Sequence, residues 1–161
     1  IIGQKIETEM EIATQYFTEN YNKEIKNEKI VFLSDYAHHP EEIKQSILSM
    51  RALYEDKKIT GIFQPHLFTR TRDFYKEFAE SLSLLDEVIL TEIYPARELP
   101  IEGVSSCLIY DHLRPGIEKT LCQKEEILEI LKHKKIEVLI TLGAGDIENY
   151  VQPICEILNK Q

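Results

Sequence analysis

No apolar run in this sequence of 161 residues approaches the ~20 residues a membrane-spanning helix requires, and none of its opening residues reads as a signal peptide. Cysteine is scarce. Cys107, Cys122 and Cys155 stand far apart with no CxxC pair, which argues against a disulfide frame or a zinc site and fits reduced core thiols in a cytoplasmic protein. Positive charge is outnumbered, with 19 Lys and Arg against 28 Asp and Glu for a net charge of −9. That balance argues against a nucleic-acid partner, which needs Lys and Arg to neutralise phosphates. A small nucleotide remains open, since a few local cations hold one phosphate group. Neither GxxxxGKS nor GxxxxGKT occurs, so if the protein handles ATP, most of the phosphate machinery must lie elsewhere. Repeats, low-complexity tracts and Gly/Ser linkers are missing too, which leaves one domain as the expectation. The first residue is Ile1 rather than Met, and an excised piece of a longer chain is expected.

With 43% apolar residues the chain has enough for a real core. From Lys29 onward, short apolar runs alternate with helix-period segments. Strands are predicted at residues 30–34, 59–64, 88–91, 119–122 and 138–142. Pro40 suits the first position of a helix striped by Ile43, Ile47, Met50 and Tyr54, with Glu41 and Glu42 favourable in its first turn. Thr69 or Thr71 is expected to cap a second helix whose buried face holds Phe74, Phe78, Leu82 and Leu85. Short helices are expected near 103–110 and 125–132, the latter with Ile127, Leu128 and Leu131 inward. Asp146 is expected to cap a final helix faced by Tyr150, Val151, Ile154 and Leu158. Strands alternating with helices imply an α/β fold, a Rossmann-like doubly wound, mostly parallel sheet of about five to six strands with helices on both faces. Residues 1–28 fit less well. Ile6, Met10, Ala13 and Phe17 space as one amphipathic helix with no strand before it, an N-terminal extension or the remnant of a preceding domain.

Ligands of open parallel sheets bind beyond the carboxyl ends of the strands, and the unusual residues fall there. DYAHHPEEI at 35–43, QPHLFTRTRDF at 64–74, LTEIYPARELPI at 90–101 and TLGAGDI at 141–147 make four polar loops on one rim. Three His, three Arg and several carboxylates suit an anionic ligand. His38 and His39 are adjacent, so an extended chain points them to opposite sides, and without a third ligand at usable spacing no metal site is expected. A loop histidine that satisfies backbone carbonyls is the plainer reading. Arg70 and Arg72 sit at a helix start, where the dipole is positive. They are either solvated or offset by a bound anion that their guanidinium forks grip. Gly143-Ala144-Gly145 is weak by itself, because Glu148 stands where a dinucleotide fingerprint has glycine.

Together, in this order and spacing, the four motifs resemble the C-terminal domain of the Mur ligases, over residues 29–161. The resemblance implies a lid that closes over substrates held by two other domains. It also implies ATP and Mg2+ as cofactors, bound mainly by a central domain outside this chain. Among family members the motifs look most like those that join L-alanine to UDP-N-acetylmuramate, which with ATP are the implied partners, in the bacterial cytoplasm. ATP would activate the muramyl carboxylate as an acyl phosphate, and the alanine amine would attack it. The catalytic set implied by resemblance is Asp35, His38, His39 and Arg70. His66, Thr69, Arg72 and Arg97 would bind substrate, and Asp35 with Tyr36 would meet the nucleotide. Glu92 and Glu98 match the third motif, as loop supports or ligand contacts, while Gly143, Gly145 and Asp146 would shape the rim.

The arginine pair that the family carries before its first motif has no counterpart in residues 21–29, so this chain alone is expected to be inactive. Two other readings stay open. One is a free-standing α/β domain that binds a nucleotide or partner without turnover; the other is a Mur-type ligase for a different amino acid or peptide. A receiver-type signalling domain fits worse, since the third strand lacks the phosphorylatable Asp at its end. The sequence carries no signal for oligomeric state.

Overall fold

The computed structural model describes residues 22–26 and 29–161. Five of its strands are short: β2 Val31–Asp35, β3 Ile59–Phe63, β4 Glu87–Leu90 and β6 Val138–Leu142 are apolar and mostly buried, while β5 Glu118–Leu121 is a polar, more exposed edge. These five pair in parallel. The sixth, β1 Asn22–Lys26, runs antiparallel beside β2, so the sheet order is β1-β2-β6-β3-β4-β5. Asn22–Lys26 lies within the stretch that sequence reading assigned to an N-terminal extension. The amphipathic helix expected around Ile6 to Phe17 lies outside the described residues.

Alternation along the strands sends side chains to two cores. Val31, Leu33, Ile59, Phe63, Val88, Leu90, Val138, Ile140 and Leu142 face one side. They meet α1 Pro40–Leu53, α2 Phe68–Leu82 and α3 Cys107–His112 through Ile43, Ile47, Met50, Phe78, Leu82 and Ile109. Phe32, Ile62, Ile89 and Leu139 face the other side, under α4 Ile127–Lys132 and α5 Val151–Leu158. Burial on both faces explains why the strands are near-continuous apolar runs. The expected doubly wound α/β fold is the one present.

Four local expectations change. Cys107, expected among core thiols, is exposed at the start of α3, while Cys122 and Cys155 are buried. Phe74 is 42% exposed rather than buried, because α2 kinks there (φ −127°, ψ 15°) and rolls the ring out of the stripe. Neither Thr69 nor Thr71 caps α2. The cap is Leu67, and Thr71 donates its hydroxyl back to the Leu67 carbonyl at 2.9 Å. Asp146 does not cap a helix through its side chain; it opens a 3-10 turn, Asp146–Tyr150, that leads into α5.

Candidate functional site

At the end of β2 the chain must turn from sheet to helix with its polar groups satisfied. The Asp35 carboxylate is 8% exposed and accepts the Ala37 N–H at 3.1 Å and the Ser46 hydroxyl of α1. Burial raises its pKa above the ordinary 3.8, against the Ser46 and Ala37 hydrogen bonds. Glu42, in the first turn of α1, accepts the backbone N–H of both His38 and His39 at 3.0 Å. That clasp folds the loop onto the helix and overrides the opposite-sides expectation: the two imidazole centroids lie 4.8 Å apart. The His38 Nδ1 is 2.9 Å from the Tyr36 carbonyl, so Nδ1 carries the proton and donates. Tyr36 itself is 62% exposed and meets His38 edge-on.

Beyond β3 the chain makes a tight double turn. His66 and Tyr94 form an isolated parallel bridge, with Leu67 N–H donating to the Tyr94 carbonyl at 2.9 Å and Tyr94 N–H to the Pro65 carbonyl at 2.8 Å. Leu67 takes φ +75°, a sparsely populated conformation for a side-chain-bearing residue, and α2 begins at once. His66 and Arg70 therefore share one turn. Arg70 Nη1 stands 3.1 Å from His66 Nδ1, and because guanidinium only donates, Nδ1 accepts and the His66 proton sits on Nε2. His38 stands 6.1 Å from His66, ring to ring. Burial first, then the positive charge of Arg70, holds the pKa of both His66 and His39 below 6.5. A neutral histidine pair beside a permanent cation is poised to donate to anionic oxygens.

The anion that offsets the start of α2 is part of the chain. The Glu98 carboxylate accepts the Thr69 N–H at 3.0 Å and the Thr69 hydroxyl, and those hydrogen bonds hold its pKa below the usual value. Thr69 is thus engaged by Glu98. Arg72 lies in solvent, its Nε 2.7 Å from Asp73, and Arg97 is exposed on the loop beyond β4. Neither joins the His38–His39–His66–Arg70 cluster.

On the remaining side, Gln64 is 1% exposed and stitches β3 to the loop after β6. Its Nε2 donates to Asp146 at 2.6 Å and its Oε1 accepts the Ile147 N–H at 2.9 Å. Asp146 pairs with Lys124, whose backbone N–H donates to Glu92 at 3.0 Å. Burial opposes the Asp146 charge, but the Lys124 and Gln64 hydrogen bonds outweigh it and keep the pKa low. Gly143 has φ +145°, and a Cβ there would stand 2.9 Å from the Gln64 carbonyl oxygen. Beside this rim opens a cleft of about 400 Å3 lined by Phe68, Ile93, Cys107, Leu121, Cys122 and Glu126, in which burial pushes the Cys122 thiol up to about 11.

Both Asp35 oxygens are taken by Ser46 and Ala37, and among the described residues no group of three or more His, Cys, Asp or Glu offers a metal its ligands. The described residues do not fit a Mg2+ site. The cationic cluster does fit phosphate or carboxylate oxygens.

The family model described as "Mur ligase, glutamate ligase domain" matches residues 22–147. The chain belongs to this family. It is 76% identical over 141 residues to the UDP-N-acetylmuramate–L-alanine ligase of Phocaeicola vulgatus, covering 88% of this chain and 31% of that protein. The ligase of the same description from Parabacteroides distasonis is 57% identical over 85% of this chain and 29% of its own length. Among solved structures, the UDP-N-acetylmuramate-alanine ligase of Thermotoga maritima superposes with a TM-score of 0.64 at 29% identity, over 81% of this chain and 27% of that one. The chain thus spans under a third of the length of each of these three proteins.

Within this Mur ligase domain, sequence reading picked out the four residues that cluster. It missed those that hold them: Glu42 as a clasp, Ser46 behind Asp35, Gln64 behind Asp146, Tyr94 against His66, and Lys124. Gln64 and Tyr94 lie inside the quoted motifs, but a Gln or Tyr after a strand carries no signature of its own. Ser46 stands among the buried positions of α1, a polar residue in the apolar stripe, and that was a usable signal.

Proposed function

We propose that this chain is the C-terminal domain of an ATP-dependent ligase that joins L-alanine to UDP-N-acetylmuramate in the bacterial cytoplasm, closing over substrates held by the rest of the enzyme. The observation that carries this reading is the clustering of Arg70, His66, His38 and His39 on one rim, with His66 and His39 held neutral beside a fixed cation. The 76% identity to a ligase of that description supports the choice of substrate.

ATP supplies the phosphoryl group that makes the muramyl carboxylate an acyl phosphate. Once the alanine amine attacks, negative charge builds on the tetrahedral carbon's oxygen and on the departing phosphate. Arg70 stabilises that charge, and the His66 Nε2–H adds a donor without adding a charge. Closure removes water and strengthens both contacts. His38 and His39 flank the amino acid and phosphate. Arg72 and Arg97 stand at the outer rim, placed to meet a carboxylate only when the other domains close. Tyr36 offers an exposed ring to the nucleoside, and Asp35 keeps the loop that bears it in place. Mg2+ and most ATP contacts are assigned to the remainder of the ligase.

The test is phosphate release by the full-length protein that carries this sequence, in the presence of ATP and Mg2+. Release that requires both UDP-N-acetylmuramate and L-alanine is expected, with none from the 161-residue chain alone. Release driven by another amino acid or a peptide, but not by L-alanine, would overturn the substrate assignment.

A further inference from the structure

Three features near His66 have one geometry in common. The Tyr94 ring stacks on the His66 imidazole, with centroids 5.6 Å apart and planes 20° from parallel. The backbones of the two residues are locked by the flanking hydrogen bonds of their bridge, Leu67 N–H to Tyr94 O and Tyr94 N–H to Pro65 O. On the far side from β4, Gly145 closes against Tyr94. A Cβ at 145 would stand 2.5 Å from Gln64 Oε1, 2.6 Å from Tyr94 Cγ and 2.8 Å from Tyr94 Cβ, closer than real Cβ contacts come. Gly145 has an ordinary negative φ of −97°, so its backbone does not require glycine; the room taken by Gln64 Oε1 and the Tyr94 side chain does.

We propose that Tyr94 is the positioning residue for His66, and that residue 145 must be glycine so that the tyrosine ring can hold its place. The inference rests on His66 belonging to the reaction site, and it adds two residues that act on the histidine from the sheet side. The aromatic face fixes the imidazole plane and shields it from water on one side. Arg70 fixes which nitrogen carries the proton. Together they present Nε2–H in one orientation, where an unstacked imidazole would turn about χ2. Tyr94 contributes its ring face rather than its hydroxyl, so phenylalanine should serve as well.

The charged and titratable groups that face His66 are Arg70 from α2, His38 from the loop between β2 and α1, and Glu98 from the loop before α3. None of them changes in Tyr94→Leu. Its effect on the His66 titration, followed by NMR on the 161-residue chain, therefore reads the stacking ring. Loss of the ring hydrates the imidazole, and the His66 midpoint is expected to rise by at least about 0.3 pH unit, a twofold change in proton affinity. Gly145→Ala, which crowds the ring and also Gln64 Oε1, is expected to move the midpoint in the same direction, whereas Gln64→Leu, which leaves the ring in place, is expected not to move it. Tyr94→Phe is expected to restore the original titration. An unchanged His66 midpoint in both folded Tyr94→Leu and Gly145→Ala would overturn the proposal, as would a Phe variant that behaves like Leu. A shifted titration with unimpaired turnover in the full-length ligase would leave the positioning standing and overturn only the place of His66 in the reaction.

Discussion

The Ser46 hydroxyl, nearly two turns into α1 from the rim, donates to the Asp35 carboxylate at the end of β2 and also lies 2.9 Å from the Glu42 carbonyl. The strand and the helix that follows it are thereby joined by a buried polar contact beneath the loop that carries Tyr36, His38 and His39. Asp35 is an anchor for that loop.

Replacing Ser46 with Ala should destabilise the chain by about 1–3 kcal/mol, because a buried carboxylate oxygen is left without its donor. The loss should depend on pH. Asp35 already binds its proton more tightly folded than unfolded, and removing the donor raises that folded pKa further. Between the unfolded value of 3.8 and the higher folded value, the native state holds more protons, so the contribution of Asp35 to stability falls as pH rises. Urea unfolding should accordingly show a larger deficit at neutral pH than at pH 4; an equal deficit at both would sink the account.

Gln64→Leu should cost about 1–3 kcal/mol, chiefly because it strips the buried Ile147 N–H of its acceptor, with a smaller part from the partly exposed Asp146, which keeps Lys124. It keeps the volume near constant, so a cavity does not confuse the reading. A melting temperature within a degree of the parent would show that the stitch between β3 and the last loop is dispensable.

Arg70→Ala in the full-length ligase should lower turnover by more than about tenfold, which corresponds to at least ~1.4 kcal/mol of lost transition-state contact. Arg72→Ala, which removes an outer-rim contact to a substrate carboxylate rather than to the reacting atoms, should raise KM and lower turnover by less than about fivefold. Equal losses at the two positions would mean that domain closure brings Arg72 to the reacting atoms.

His39 and His66 bind protons less readily in the folded chain, chiefly through burial and then through Arg70. Below the unfolded value of 6.5 the unfolded state takes up more protons, so their contribution to stability is present above that pH and is lost as pH falls through the lowered folded values. The urea midpoint should drop between about pH 7 and 5.5, and His66→Gln should flatten that slope whatever it does to the midpoint itself. A slope identical in parent and variant would remove His66 from the acid response.

What could be read in the sequence was whatever a single element announces alone. Pro40 with Glu41 and Glu42 fixed the start of α1, and the apolar runs fixed four buried strands to within a residue or two. Features that need two distant segments to be seen together stayed hidden. Glu98 neutralises the start of α2 from 29 residues away, so the arginines there looked as though they required an outside anion. Phe74 kept the helical period in sequence but lost it to the kink. β1 was invisible for a plainer reason: NKEIK is a charged segment with one apolar residue, and only the open edge of β2 makes it a strand.

The antiparallel run of β1 sets the side from which the polypeptide arrives. Asn22 pairs with Ser34 at the rim that bears the histidines, and Lys26 pairs with Val31 at the opposite end. The backbone therefore comes into the sheet beside the His38–His39–His66–Arg70 cluster. Anything covalently joined upstream of Asn22 is tethered to that same side, where a short leash gives an effective concentration on the order of millimolar. Such a neighbour needs little intrinsic affinity for the rim, because the bond that links them already holds it near.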